Sequence, residues 1–264
     1  MLKQRVITAL ALLLLFLGAL YYLPALHWTV LTLAATLIGA WEWAGIAGYS
    51  LFARRLYLLF TLLLGLLLVA LGEGVRDGMF AAATLFWLAP AWLWLIFRWR
   101  LSNAVILACL GWLFLLPTWL ALGYLREINP NFLLVLMMVV WIADSAAYFS
   151  GRRFGKHKLA PSISPGKTWE GVAGAWIGVT VFSLGVALWA QTSWWIVAAF
   201  WLLAALSIVG DLFESWMKRV AGVKDSGSIL PGHGGVLDRI DGLIPTLSAA
   251  SLCVTCLDWG VLVK

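Results

Sequence analysis

Residues 194–241 read WWIVAAFWLLAALSIVGDLFESWMKRVAGVKDSGSILPGHGGVLDRID. The first part, 194–215, is an apolar run of the length that crosses a bilayer, about 17–25 residues. The rest turns abruptly polar: Lys218, Arg219, Lys224 and Arg239 stand among Asp225, Asp238 and Asp241, with the turn Pro231-Gly232-His233-Gly234-Gly235 between them. A second apolar run, 242–262, follows at once. Cations grouped with carboxylates and glycines at a membrane edge suit the handling of a metal-bound polyphosphate beside lipid.

The same contrast extends over the whole chain. Charged residues make up 11% of it, against about 25% in soluble domains, and mean hydropathy is +0.96. Trp28, Trp41, Trp43, Trp99, Trp194 and Trp195 sit near the ends of apolar runs, the depth that amphipathic rings favour. The expected fold is therefore all-α and polytopic, with nine transmembrane helices near 5–22, 27–47, 56–72, 79–97, 103–123, 131–150, 172–190, 194–215 and 242–262. No polar stretch approaches the roughly 50 residues of an accessory domain. Residues 1–264 are read as one membrane domain: a helical scaffold over 1–125 and a catalytic half over 126–264. The first run has signal-peptide-like flanks, but Tyr21, Tyr22 and Pro24 stand where a cleavage site is expected. It is read as an uncleaved helix.

Charge orients the helices. With the N-terminus in the cytoplasm and the C-terminus outside, the cytoplasmic segments hold Lys3, Arg5, Arg54, Arg55, Arg98 and Arg100. They also hold Arg152, Arg153, Lys156, Lys158 and Lys167 in loop 151–171, and the four cations of loop 216–241. Of the 18 Lys and Arg, only Arg76, Arg126 and Lys264 fall outside, as the positive-inside rule requires. The implied location is the plasma or inner membrane, with both large polar loops facing cytoplasmic nucleotides. The net charge of +6 reflects loops beside anionic headgroups. No continuous basic stripe argues for nucleic acid. Cys109, Cys253 and Cys256 lie within apolar runs and read as small buried residues.

Carboxylates inside apolar helices cost about 2.5–3.5 kcal/mol each to insert, so they mark functional sites. Asp144 and Tyr148 are four apart near the end of the sixth run, hence on one face. Asp211, Glu214 and Ser215 share a face at the end of the eighth. Asp144, Asp211, Glu214 and Asp238 form a set of hard oxygen donors at a common depth, which suits Mg²⁺. Glu42, between Trp41 and Trp43, reads equally as structural or catalytic. Asp258 lies toward the opposite membrane face and is left out.

Loop 151–171 contains Ser162, Ser164, Gly166-Lys167-Thr168 and then a helix start, a favourable place for phosphate. It is no Walker motif, because position 161 is proline and no strand is expected before it. Gly171, Gly174 and Gly178 offer small surfaces for close helix packing. His233, lone among glycines, reads as a hydrogen-bond donor to phosphate or part of the turn.

The order Ser215-x-Met217-Lys218-Arg219, then Lys224-Asp225-x-Gly227, then Pro231-x-His233-Gly234-Gly235-x-x-Asp238-Arg239-x-Asp241 resembles the signature of the phosphatidate cytidylyltransferases, also called CDP-diacylglycerol synthases. Gly210–Ser215 and Ser164–Gly171 are similar to that family as well, whereas 1–125 resembles it only as generic helices. The resemblance implies that CTP and phosphatidate give CDP-diacylglycerol and diphosphate at the cytoplasmic face, with Mg²⁺. It implies Asp211 and Asp238 as metal ligands, with Asp144 and Glu214 around them or around a second, monovalent cation such as K⁺. Lys167, Lys218, Arg219 and Arg239 would bind the triphosphate or the lipid headgroup. Tyr148, Ser164, Thr168, Lys224, Asp225, His233, Gly234 and Gly235 would complete substrate binding. A homodimer is compatible with this reading.

Three other functions would leave different marks on the chain. A CDP-alcohol phosphotransferase would need DGxxAR, but Asp241-Gly242 is followed by Leu-Ile-Pro. A CTP-dependent lipid kinase, of polyprenol type, differs in leaving only a phosphate on the product. A cation-coupled transporter would place its acids near the midplane with repeat symmetry, whereas here they cluster at one face.

Overall fold

A computed structural model describes residues 2–229 and 234–256. The chain forms helices α1 (Leu2–Tyr22), α2 (Ala25–Ile46), α3 (Leu51–Leu71), α4 (Glu73–Leu88), α5 (Pro90–Phe97), α6 (Ala104–Ile128) and α7 (Pro130–Phe154). A hairpin of β1 (Lys158–Ala160) and β2 (Ser164–Thr168) follows, then α8 (Trp169–Trp189), α9 (Trp195–Val220), the short α10 (Leu237–Ile240) and α11 (Leu243–Cys256). Helices dominate because a chain in lipid must satisfy its backbone hydrogen bonds internally. Among the described residues, seven helical segments are long and apolar enough to cross a membrane, α4 and α5 counting together as one. The described parts of the first and last runs form shorter apolar helices. The protein is thus an all-α, multi-pass membrane protein with one small hairpin.

Local chemistry sets the helix ends. Asn103 accepts from Val105 N and Ile106 N, and Asn129 accepts from Asn131 N and Phe132 N, the N-cap arrangement. The run expected over 79–97 breaks at Ala89, after which Pro90 opens α5; proline suits a first helical position, where its missing N–H is not needed. Both α7 and α9 run past the apolar spans, ending with Arg152 and Arg153 and with Lys218 and Arg219 in their last turns. Cations there complement the C-terminal end of the helix dipole. Loops 151–171 and 216–241 are correspondingly shorter than expected.

The core is built around α11, whose residues Leu243 to Ser251 are all buried. It packs against α4, α6, α7 and α9, as a helix apolar on every side should. Beside it, Phe86, Trp87, Trp94, Phe114 and Phe213 join α4, α5, α6 and α9. α8 lies along α7, and a side chain at Gly174 would run into Ser150 while one at Gly178 would stand 2.9 Å from Ala146 Cβ. The glycine spacing does permit close approach.

Two expectations need correction. A strand, β1, does precede Gly166-Lys167-Thr168, which itself lies in β2 with Lys158 paired to Thr168 and Ala160 to Ser164. The Walker reading still fails, since that loop follows a strand and here the residues are within one. The cysteines are not buried: Cys109 and Cys256 are exposed and Cys253 is half-buried, on helix faces turned away from the core. His233 and Asp258 lie outside the described residues.

Candidate active site

The C-terminal ends of α7 and α9, the start of α8, the hairpin and the segment through α10 enclose a cavity of about 590 Å³. From α7 it is lined by Asp144, Tyr148 and Arg152, and from the hairpin by Ser164, Lys167 and Thr168. α9 gives Asp211 and Lys218, and the following segment gives Asp225, Asp238, Arg239 and Asp241. Ala147, Leu159, Val172 and Ile208 add apolar surface. The cavity therefore offers charge and hydrocarbon together at one end of the bundle.

Two lysines organise its acids. Lys167 Nζ stands 2.6 Å from Asp211 Oδ2. Lys218, buried, lies 2.6 Å from Glu214 Oε2 and 2.5 Å from Asp238 Oδ1. Asp238 Oδ2 also accepts from Ser226 N at 3.0 Å and Gly235 N at 2.9 Å. Burial alone would raise the pKa of Asp238, but the Lys218 ammonium and these N–H donors hold it below the usual carboxylate range. Asp241 is the opposite case. One edge opens on the cavity, yet burial, reinforced by the charges of Asp211 and Glu214, pushes its pKa well above the ordinary value.

Several expected residues stand elsewhere. Glu214 faces a small inner cavity between Trp43, Trp87 and Phe213, and its Oε1 is buried without a hydrogen-bond partner. Arg219 is not a cavity residue: it donates to Ile163 O and Val223 O, bracing the hairpin against the end of α9. Lys224 is exposed and does not line the cavity. Gly234 adopts φ +80°, the left-handed conformation glycine permits, and Gly235 contributes its N–H to Asp238. Thr168 caps α8 by accepting from Gly171 N. Ser215 donates to Asp211 Oδ1.

Two residues bear on the site more than the sequence suggests, one inside the cavity and one behind its wall. Asp241 shares the cavity with Asp144 and Asp211; its place in the polar stretch was visible, its proximity to the helix acids was not. Glu42 reaches the segment after α9 from α2, and sequence position gives no signal of that.

As to metal, the donor set is hard oxygen, and Asp241, its pKa raised first by burial and then by the nearby charges of Asp211 and Glu214, stands in like-charge company that a divalent cation would relieve. Among the described residues, no three such side chains converge as ligands; Lys167 and Lys218 stand on Asp211 and Asp238. The residues fit Mg²⁺ in kind.

The sequence profile described as the cytidylyltransferase family matches residues 3–257. A protein of Pseudomonas aeruginosa named phosphatidate cytidylyltransferase is 39% identical over 98% of this chain and 99% of its own length. One of the same name from Haemophilus influenzae is 35% identical over 92% of this chain and 95% of its own. A third, from Brucella suis, is 48% identical over 47% of this chain and 48% of its own.

Proposed function

The chain belongs to the cytidylyltransferase family, and we propose on that premise that it makes CDP-diacylglycerol and diphosphate from CTP and phosphatidate. The observation that carries the reading is the cavity in which Asp144, Asp211, Lys167, Asp238 and Arg239 meet apolar walls. Such a site accepts a nucleoside triphosphate and a lipid phosphate side by side. A phosphatidate oxygen attacks the α-phosphorus of CTP, forming the new P–O bond as the bond to the β-phosphate oxygen breaks and diphosphate leaves. The attacking phosphate is already ionised, so no strong general base is needed. The protein's contribution is in-line positioning and neutralisation of charge.

Within that reaction, Lys167 and Arg239 bind phosphate, and Ser164, Tyr148 and Arg152 hold the rim where the lipid headgroup enters. Lys218 sets the orientation of Asp238. Mg²⁺ would be held by Asp211 and Asp238, with Asp144 and Asp241 beside them, and supplies neutralisation of the triphosphate when bound. The distribution of Lys and Arg supports a cytoplasmic-facing site in the inner membrane. One membrane domain suffices, the helices of 1–125 supporting the catalytic half.

Two labels distinguish this reaction from a CTP-dependent lipid kinase. Purified protein is given phosphatidate and CTP labelled at either the α- or the γ-phosphate. The expected result is α-label in the lipid phase and γ-label in diphosphate. Transfer of γ-label to lipid, or label in neither, contradicts the reading.

A further inference from the structure

Glu42 lies near the C-terminal end of α2, far from the polar segments in sequence, and is only 3% exposed. Among the described residues its carboxylate accepts three hydrogen bonds, all from the segment after α9. Ser226 Oγ donates at 3.1 Å, Val236 N at 3.0 Å and Leu237 N at 2.7 Å. Among the described residues no lysine or arginine stands within ion-pair distance of it. A buried carboxylate satisfied only by neutral donors is costly to keep, and here every donor belongs to one stretch of chain.

That stretch is the wall carrying Asp238 and Arg239. Its two ends, Ser226 and residues 235–237, are each held twice. Asp238 takes the backbone N–H of Ser226 and of Gly235. Glu42 takes the Ser226 hydroxyl and the next two N–H groups, of Val236 and Leu237. The packing is close: a Cβ on Gly227 would stand 2.5 Å from Glu42 Oε1, and one on Gly235 would stand 2.6 Å from both carboxylate oxygens. Nothing larger than glycine fits at either place without moving the carboxylate.

We propose that Glu42 is a positioning residue for cytidylyl transfer, fixing the neck of the 226–237 loop so that Asp238 and Arg239 face the cavity. The residue touches neither the cavity nor the reacting atoms. It acts through the loop, and so ties the N-terminal helices to the chemistry. The inference rests on the reaction proposed above.

The test uses the full chain in detergent, comparing the native protein with Glu42→Gln, Glu42→Ala and Gly227→Ala. Glutamine keeps the shape but loses one acceptor oxygen; alanine loses both. Two quantities are read: kcat and KM for CTP and for phosphatidate, and amide hydrogen exchange of the peptides covering 225–229 and 234–240. The expected result is faster exchange in those peptides, and a fall in kcat/KM for CTP that is larger for alanine than for glutamine. A misplacement of about 1 Å costs on the order of 10²-fold, which sets the scale for alanine. A merely structural role would lower Vmax through loss of folded enzyme, with both KM values and loop exchange unchanged. That outcome overturns the proposal, as do unchanged kinetics in Glu42→Gln and Glu42→Ala. If Glu42→Ala does not fold, Glu42→Gln and Gly227→Ala decide it. Native protein that makes no lipid-linked nucleotide defeats the proposed reaction, whereas unaltered loop exchange in the variants defeats the anchor alone.

Discussion

Two polar segments wall the same cavity and are held in different ways. The segment after α9 is fixed by buried carboxylates: the side chains of Lys218, Glu214 and Asp238 are 10%, 6% and 7% exposed, and Glu42 grips the far end. The β1–β2 hairpin is fixed by partly open pairs. Lys167 and Asp211 are 23% and 34% exposed, and His157 and Glu170 are 78% and 24% exposed. Water and salt weaken the second kind of contact far more than the first. One wall is therefore built into the fold, and the other is able to yield to an arriving polyphosphate.

The sharpest way to break the built-in wall is Lys218→Ala. It strands Glu214 and Asp238 as unpaired buried acids, at a cost of about 3–5 kcal/mol. A large fall in the thermal midpoint in detergent, with loss of activity, is expected; a midpoint within error of native would refute the contrast. Lys167→Ala attacks the other wall. The ion pair is worth about 0.2–1 kcal/mol, so stability should hardly change while KM for CTP rises. An equal loss of stability in both variants would erase the distinction. The smallest effect belongs to Glu170→Gln, which removes the charge facing His157 at the hairpin's base and one of the two oxygens that accept from it. Activity should keep its native value at high ionic strength and fall slightly at low salt; an equal fall at both would contradict the screening of this exposed pair.

Much of this was legible in the chain. The helical spans follow from apolar length, and the polar ends of α7 and α9 from where Asp144 and Asp211 interrupt it. The cavity brings residues from both loops and both helices together. The hairpin was not legible, because three- and five-residue strands rich in Pro, Gly and Ser carry no period-two pattern. The break at Ala89 had a visible signal in Pro90, submerged in an unbroken apolar run. Glu42 was the hardest to read. Its partners lie 184 to 195 positions away, and one acid beside two tryptophans looks interfacial until the tertiary contact is seen. Arg219 and Lys224 stand outside the cavity lining for a related reason: a cluster in sequence does not point every cation into one cavity. Arg219 occupies the last turn of α9 and reaches carbonyls instead.

Asp238 is where these lines meet, being the acid on which Lys218, Ser226 and Gly235 converge. The most direct test of the account is Asp238→Asn, an exchange that preserves shape and most hydrogen bonding while removing the charge. Native and variant protein, matched for folded content, are assayed for transfer of α-labelled cytidine nucleotide from CTP to phosphatidate across a Mg²⁺ titration. The account predicts that the variant inserts and folds but forms no CDP-diacylglycerol at any Mg²⁺ concentration. Native-like product at saturating Mg²⁺ would contradict it.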